Sequence, residues 1–396
     1  MEAFTYCVPT EVVFGRHAES KAGNLVRRYG GSRVLVVYGG GSAERSGLLE
    51  RVGQSLTDAG LIWKTLGGVK PNPRLSFARE GVRLAIEFEC DFLLAVGGGS
   101  VIDTAKAIAH GLANPETDIW QFWLKKEIVR KTTPVGVILT IPAAGSETSD
   151  SAVLTDEETG SKRGLGTPLN RPRFAIMNPE LTFTLPKYQI ACGVTDIMMH
   201  TMERYFNPVE NELTDAIAEA LLRTVIDKGR SAIQDGCSYD SMSEVMWAGS
   251  LSHNGLTGLG TRADWATHQL GHELSAKYDL AHGASLAATW GSWARYVYQE
   301  DPARFARYAR NVWNVVEKDD EAAALAGINA TEQYFSSIGM PVNMPECVGM
   351  QSEEQLREMA YRCTYQRTRT IGSFKVLGEE DIYQIYSSAN HAAKDK

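Results

Sequence analysis

Apolar residues in the first half of the chain fall in short unbroken runs, and in the second half they recur at helical spacing. Arg33 to Tyr38 (RVLVVY) is apolar at consecutive positions, as in a strand buried on both faces. Gly39, Gly40, Gly41 and Ser42 follow, and then a helical stretch from about Ala43 to Ala59 whose Leu48, Leu49, Val52 and Leu56 share one face. The same alternation continues. A strand is expected at Leu61 to Leu66, a helix at Arg74 to Phe88 after the Pro71-Asn72-Pro73 break, and a strand at Phe92 to Val96. That strand runs into Gly97-Gly98-Gly99-Ser100, with a helix from near Val101. A further strand, Val135 to Leu139, ends in the polar loop Thr140 to Glu147 (TIPAAGSE). Alternating strands and helices predict a largely parallel sheet covered by helices. Ala152 to Gly166 reads as a hairpin turning at Glu157 to Gly160.

From about Pro186 the pattern is helical, with stop signals at Gly236, Gly327 and Pro341. The expected fold is therefore α/β: a Rossmann-like domain over residues 1–185, then an all-helical domain over residues 186–396. The length of 396 residues suits two cores.

Composition narrows the function classes. With 43% hydrophobic and 22% charged residues, the chain has the make-up of a globular enzyme rather than a disordered protein. A net charge of −8 without a long Lys/Arg block argues against a nucleic-acid partner. Met1 to Phe14 lacks the pattern of a secretory signal, and no apolar stretch approaches the roughly 20 residues of a membrane span, so a cytoplasmic location is expected. The six cysteines form no CxxC pair and read as reduced thiols.

Candidate chemistry lies in two segments of the second half. In Val194 to Tyr205, Val194, Ile197, Met198, Met202 and Tyr205 share one helical face, while Asp196, His200 and Glu203 share the other. Any surface helix shows such a polar stripe. The second segment, Asp264 to Gly283, holds His268 and His272 one turn apart and His282 beyond an expected helix end. Histidines four apart on a helix commonly present two imidazoles to one metal. Five ligands are too many for a catalytic metal that must leave room for substrate, and spacing alone does not say which of Asp196, His200, His268, His272 and His282 stands aside.

Four motifs, GGGSVIDTAK (Gly97 to Lys106), LTIPAAGSE (Leu139 to Glu147), GVTDIMMH (Gly193 to His200) and HQLGHELSAKYDLAHG (His268 to Gly283), occur in the order found in one family. On them the chain resembles the iron-containing, or group III, alcohol dehydrogenases, and within these the NADPH-dependent aldehyde reductases and butanol dehydrogenases. The resemblance implies a dehydroquinate synthase-like architecture and one divalent metal, Fe2+ or Zn2+, held by Asp196, His200, His268 and His282. His272 then matches a histidine lining the site, a candidate proton relay, and Asp103 matches a site aspartate that orients cofactor or substrate.

The resemblance also implies a dinucleotide at Gly97, Gly98, Gly99 and Ser100, with Asp103, Thr140 and Ser146 beside it and Lys162 reaching in from the hairpin. Gly39, Gly40, Gly41 and Ser42 would flank the adenosine ribose. Gly39 stands where NAD-using relatives often place an acidic residue, and Ser42 offers a hydrogen bond to a 2′-phosphate, so NADP(H) is expected over NAD(H). The implied reaction passes hydride between nicotinamide and an aldehyde or alcohol polarised by the metal, in a homodimer with small-molecule substrates. Three other readings compete: a glycerol dehydrogenase-like or dehydroquinate synthase-like enzyme on the same architecture, a metal-dependent hydrolase, and a non-catalytic dinucleotide-binding protein. Gln269, where a HExxH protease carries its glutamate, weighs against the hydrolase.

Overall fold

The eight strands of the computed structural model, which describes residues 1–391, form one parallel sheet and one hairpin. The strands are β1 (Glu11–Phe14), β2 (Arg33–Tyr38), β3 (Ile62–Leu66), β4 (Phe92–Gly97), β5 (Val135–Leu139), β6 (Ser151–Asp156), β7 (Ser161–Gly166) and β8 (Phe174–Met177). Six make a sheet in the order β1-β8-β5-β4-β2-β3, every pair parallel, and β6 and β7 form an antiparallel pair.

Strict alternation along β2 and β4 feeds two cores, one on each face of the sheet. Leu35, Val37, Leu93 and Ala95 pack with Ile102, Ala105 and Ile108 of the Gly99–Ala113 helix. Val34, Val36, Leu94 and Val96 pack with Leu25, Val26, Val52 and Leu56 on the other side. Both faces are buried, which is why Val34 to Val37 and Phe92 to Val96 carry no polar position. The chain leaves β2 for β3 on one side and then crosses to β4 on the other. The strand order therefore reverses between β2 and β4, the place where open α/β sheets bind ligands at the carboxyl ends of their strands.

Two compact units are present. One comprises Cys7–Leu185 with Ser238–Asn254, and the other Met1–Tyr6, Pro186–Cys237 and Gly255–Lys396. The Tyr239–His253 helix, inside the span expected to form the helical domain, thus packs with the sheet-containing unit. It starts at a Ser238/Ser241 capping box, and its Ser250 Oγ donates to Glu147 Oε1 at 2.5 Å.

Two expectations require correction. The helix over Ala43–Ala59 is broken into Ser42–Arg45 and Leu48–Asp58, because Gly47 takes φ +68° and interrupts it. Gly327 does not stop a helix. It lies inside Asp320–Ser337, where a Cβ would come within 2.6 Å of Ala309 Cβ, so glycine there permits close helix packing. No helix among the described residues is long and apolar enough to cross a membrane.

Candidate metal centre and dinucleotide loops

In the helical unit, the Lys187–Tyr205 helix begins after Pro186 and is buried on every side from Val194 to Tyr205. Its stripe of Asp196, His200 and Glu203 is therefore no solvated face. Buried polar groups need partners, and this stripe faces the histidines of the Ala266–Tyr278 and His282–Val297 helices. Three ring nitrogens converge on one carboxylate oxygen: His200 Nδ1 and His268 Nε2 each lie 3.5 Å from Asp196 Oδ1, and His282 Nε2 lies 3.8 Å from it. Donor atoms of Asp196, His268 and His282 all fall within 4.8 Å of one another. The His200 ring stands against this group, stacked on His268 with centroids 4.5 Å apart.

These separations suit ligands better than hydrogen-bond partners. Metal–ligand bonds of about 2.1 Å in a tetrahedron give ligand–ligand edges of roughly 3.4 Å. Asp196 Oδ1 and His268 Nε2 are buried and make no hydrogen bond, a costly arrangement unless another group satisfies them. One carboxylate oxygen among imidazole nitrogens is a fitting donor set for a divalent transition metal. His272 is buried alongside, its ring centroid 6.2 Å from that of His268 and 5.4 Å from that of His282.

Glu203 has a part that its place on the polar stripe did not disclose. Its Oε1 accepts from the His268 backbone N–H at 2.8 Å, and its Oε2 pairs with His268 Nδ1. A carboxylate on Nδ1 fixes the ring and its tautomer and leaves Nε2 facing Asp196. Burial opposes a charge on His268, but Glu203 and Asp196 outweigh it and raise its pKa to about 9, so a metal taking Nε2 would displace a proton from it. Helical spacing from His200 marks Glu203 as a neighbour of the site; only the tertiary contact shows which ligand it serves.

In the sheet-containing unit, the expected dinucleotide residues cluster at the carboxyl ends of adjacent strands. Gly39 to Ser42 leave β2, Gly97 to Ser100 leave β4, and Thr140 begins the loop after β5, its N–H donating to Gly97 O at 3.1 Å. A Cβ on Gly98 would lie 2.9 Å from Ile141 Cβ, so the two loops touch as closely as glycine allows. Arg45, absent from the expected set, places Nη1 2.9 Å from where a Cβ on Gly41 would sit, which brings a cation to the end of β2. Glu44 accepts a hydrogen bond there from Tyr38 Oη at 2.5 Å.

Behind these loops lies a buried ionic network. Lys106 Nζ donates to Ser146 O and Ser146 Oγ at 2.8 Å each and to Ser151 O at 2.7 Å. Ser146 Oγ passes a hydrogen bond to Asp103 Oδ1 at 2.6 Å, and Asp103 Oδ2 accepts from Val153 N at 2.9 Å. Burial pushes the Asp103 carboxyl up and the Lys106 ammonium down to about 8, each opposed by the charge of the other. Lys162 donates to Asn72 Oδ1 at 2.9 Å. Asp103 and Ser146 thus bind the loop after β5 to the Gly99–Ala113 helix.

Comparison with known proteins follows the same division of the chain. The model of iron-containing alcohol dehydrogenases matches residues 9–179, and that of the C-terminal region of the Fe-containing alcohol dehydrogenase family matches residues 190–390. The NADH-dependent butanol dehydrogenase A of Clostridium acetobutylicum is 39% identical over 392 residues, covering 98% of this chain and 100% of that one. The NADPH-dependent aldehyde reductase YqhD of Escherichia coli is 38% identical over 350 residues, 87% of this chain and 89% of that one. The crystal structure of NADH-dependent butanol dehydrogenase A from Thermotoga maritima superposes with a TM-score of 0.95 at 35% identity, covering 99% of each chain.

The chain belongs to the iron-containing alcohol dehydrogenase family. It is an alcohol/aldehyde oxidoreductase of the metal- and nicotinamide-dependent kind, and the hydrolase and non-catalytic readings fall with that assignment.

Proposed function

We propose that this enzyme transfers hydride reversibly between NADP(H) and an aldehyde/primary alcohol pair, with one divalent metal held by Asp196, His200, His268 and His282. The observation that carries this reading is the convergence of three imidazole nitrogens on Asp196 Oδ1 at a buried point. When bound, the metal supplies a Lewis acid to the substrate oxygen and the nicotinamide supplies or takes up hydride.

The protein's own part is to position these groups and handle the proton. Glu203 orients His268 through Nδ1. His272, against the rings of both His268 and His282, is the proposed relay for the proton exchanged at the substrate oxygen. Gly39 to Ser42 with Arg45, Gly97 to Ser100, and Thr140 form the proposed cofactor cradle. Asp103, Ser146 and Lys106 hold its outer loop in shape, and Lys162 lines it from the hairpin. NADP(H) is favoured because Gly39 itself bears no carboxylate, the neighbouring Glu44 is engaged by Tyr38 Oη, and Arg45 brings a guanidinium to the same turn.

The donor set suits Fe(II) and Zn(II) alike, and elemental analysis of protein isolated without added metal decides between them. Resemblance to the family supports a cytoplasmic homodimer, the dimer being open to sedimentation measurement. The test of the reaction is a steady-state panel of butanal, short-chain alcohols and glycerol with NADPH and NADH, after reconstitution with each metal. Metal-dependent oxidation of NADPH by butanal is expected. Turnover of glycerol alone, or a strong preference for NADH, would overturn the substrate or the cofactor assignment respectively.

A further inference from the structure

Trp265 opens the Ala266–Tyr278 helix with φ +62°, in the left-handed region. A bulky residue is strained there and persists only where its surroundings hold it. Asp264 does the holding. Its Oδ1 accepts from Ala266 N at 3.0 Å, its Oδ2 accepts from Ser373 N and Phe374 N at 2.8 Å each, and its own N–H donates to Glu203 O at 2.8 Å.

The indole so placed meets two imidazoles of the proposed metal centre nearly at right angles. Its ring centroid is 5.3 Å from that of His268 at 79°, and 6.0 Å from that of His200 at 72°. The Arg204 guanidinium lies 4.5 Å from the same indole, and the buried Arg204 also donates from Nη1 to the His200 backbone carbonyl at 2.9 Å. One strained residue therefore touches both rings, and its cationic neighbour is anchored to the backbone of one of them.

We infer that Trp265 is a positioning residue of the metal centre: with Arg204 beside it, the indole sets the ring planes of His200 and His268 so that their nitrogens meet at Asp196. Packing alone gives no reason for a tryptophan to occupy a backbone conformation that glycine adopts without strain. The rings it contacts are the two that must keep a fixed orientation, since a rotated imidazole loses its lone-pair direction toward the shared point. Glu203 fixes His268 from Nδ1, and Trp265 adds an aromatic contact to that ring as well as to His200.

The inference rests on the metal reading above, and the test separates the two. Co(II) chloride is titrated into metal-free protein against a competing chelator, and its visible absorption is recorded. Wild type is expected to bind and Asp196→Ala to lose binding; if the two bind alike, the metal reading itself fails. Trp265→Gly removes the ring yet accepts φ +62° freely, so its metal-free melting temperature is expected to stay close to wild type. Its Co(II) affinity should fall about tenfold or more with an altered absorption spectrum, and Trp265→Phe should recover most of both. A Trp265→Gly protein that binds Co(II) with wild-type affinity and spectrum, while Asp196→Ala does not bind, overturns this inference alone. Should Trp265→Gly not fold, Arg204→Met decides: affinity about threefold or more below wild type supports the inference, and unchanged affinity overturns it.

Discussion

Glu203 shows how much a single side chain determines here. A histidine has two nitrogens, and which one faces a metal depends on what the other is bonded to. Because Glu203 claims Nδ1 of His268 as well as its backbone N–H, only Nε2 is left to face Asp196. Glu203→Gln keeps the size and can still accept a hydrogen bond, but it removes the charge. Metal affinity should drop by about tenfold to a hundredfold, read by chelator competition, with secondary structure unchanged by circular dichroism. Wild-type affinity in this variant would mean that the carboxylate is a packing partner only. Arg45 makes a comparable claim on the cofactor. Arg45→Ala should raise the KM for NADPH about tenfold or more and leave that for NADH nearly unchanged, because only the former carries the 2′-phosphate. Equal effects on both cofactors would place Arg45 outside the ribose site.

Elements, rather than residues, determine whether the cofactor loops hold their shape. The loop from Thr140 to Asp150 has no regular structure of its own and draws its order from the Gly99–Ala113 helix through Lys106 and Asp103. Lys106→Met would leave Asp103 buried without its main countercharge and the carbonyls of Ser146, Ser149 and Ser151 without the ammonium that donates to them. Unfolding of the sheet-containing unit should then become easier by about 3 kcal/mol in urea titrations, and the KM for the nicotinamide cofactor should rise while metal content stays constant. A rise in KM without loss of stability, or the reverse, would show that the network does not link the two. The sequence made the central strands legible because β2, β4 and β5 are buried on both faces and read as solid apolar runs. It hid β1 and β8, whose four residues each are too few to show a period, and which pair with each other at the sheet edge. Helical spacing does not disclose the burial of Lys106, because that depends on a loop some 40 residues away. The metal cluster was legible as five candidates on helical spacing, but their convergence needed three separate helices to meet.

At the scale of the whole molecule, burial ties stability to pH through a histidine far from the chemistry in sequence. His110 is completely enclosed in the sheet-containing unit, near Phe122 and Trp123. Asn170 spends its amide hydrogens on Asp150 O and Leu165 O, so its Oδ1 can only accept, and His110 must donate to it from Nε2. The ring is thus the neutral tautomer with its proton on Nε2, and burial lowers its pKa from 6.5 to about 4. Between those values the unfolded chain binds a proton that the folded one refuses, so stability is intact above pH 6.5 and is lost as the pH falls toward 4. Below that, both states are protonated and this loss stops. At about 1.4 kcal/mol per pH unit the span removes roughly 3 kcal/mol. His110→Gln keeps a donor for Asn170 and has no proton to take up. Urea unfolding of wild type and variant, followed from neutrality into acid, should give curves whose difference shrinks or reverses by about that amount. Parallel curves would mean that His110 is protonated as readily in the fold as outside it, and that the acid sensitivity of this unit lies with its carboxylates.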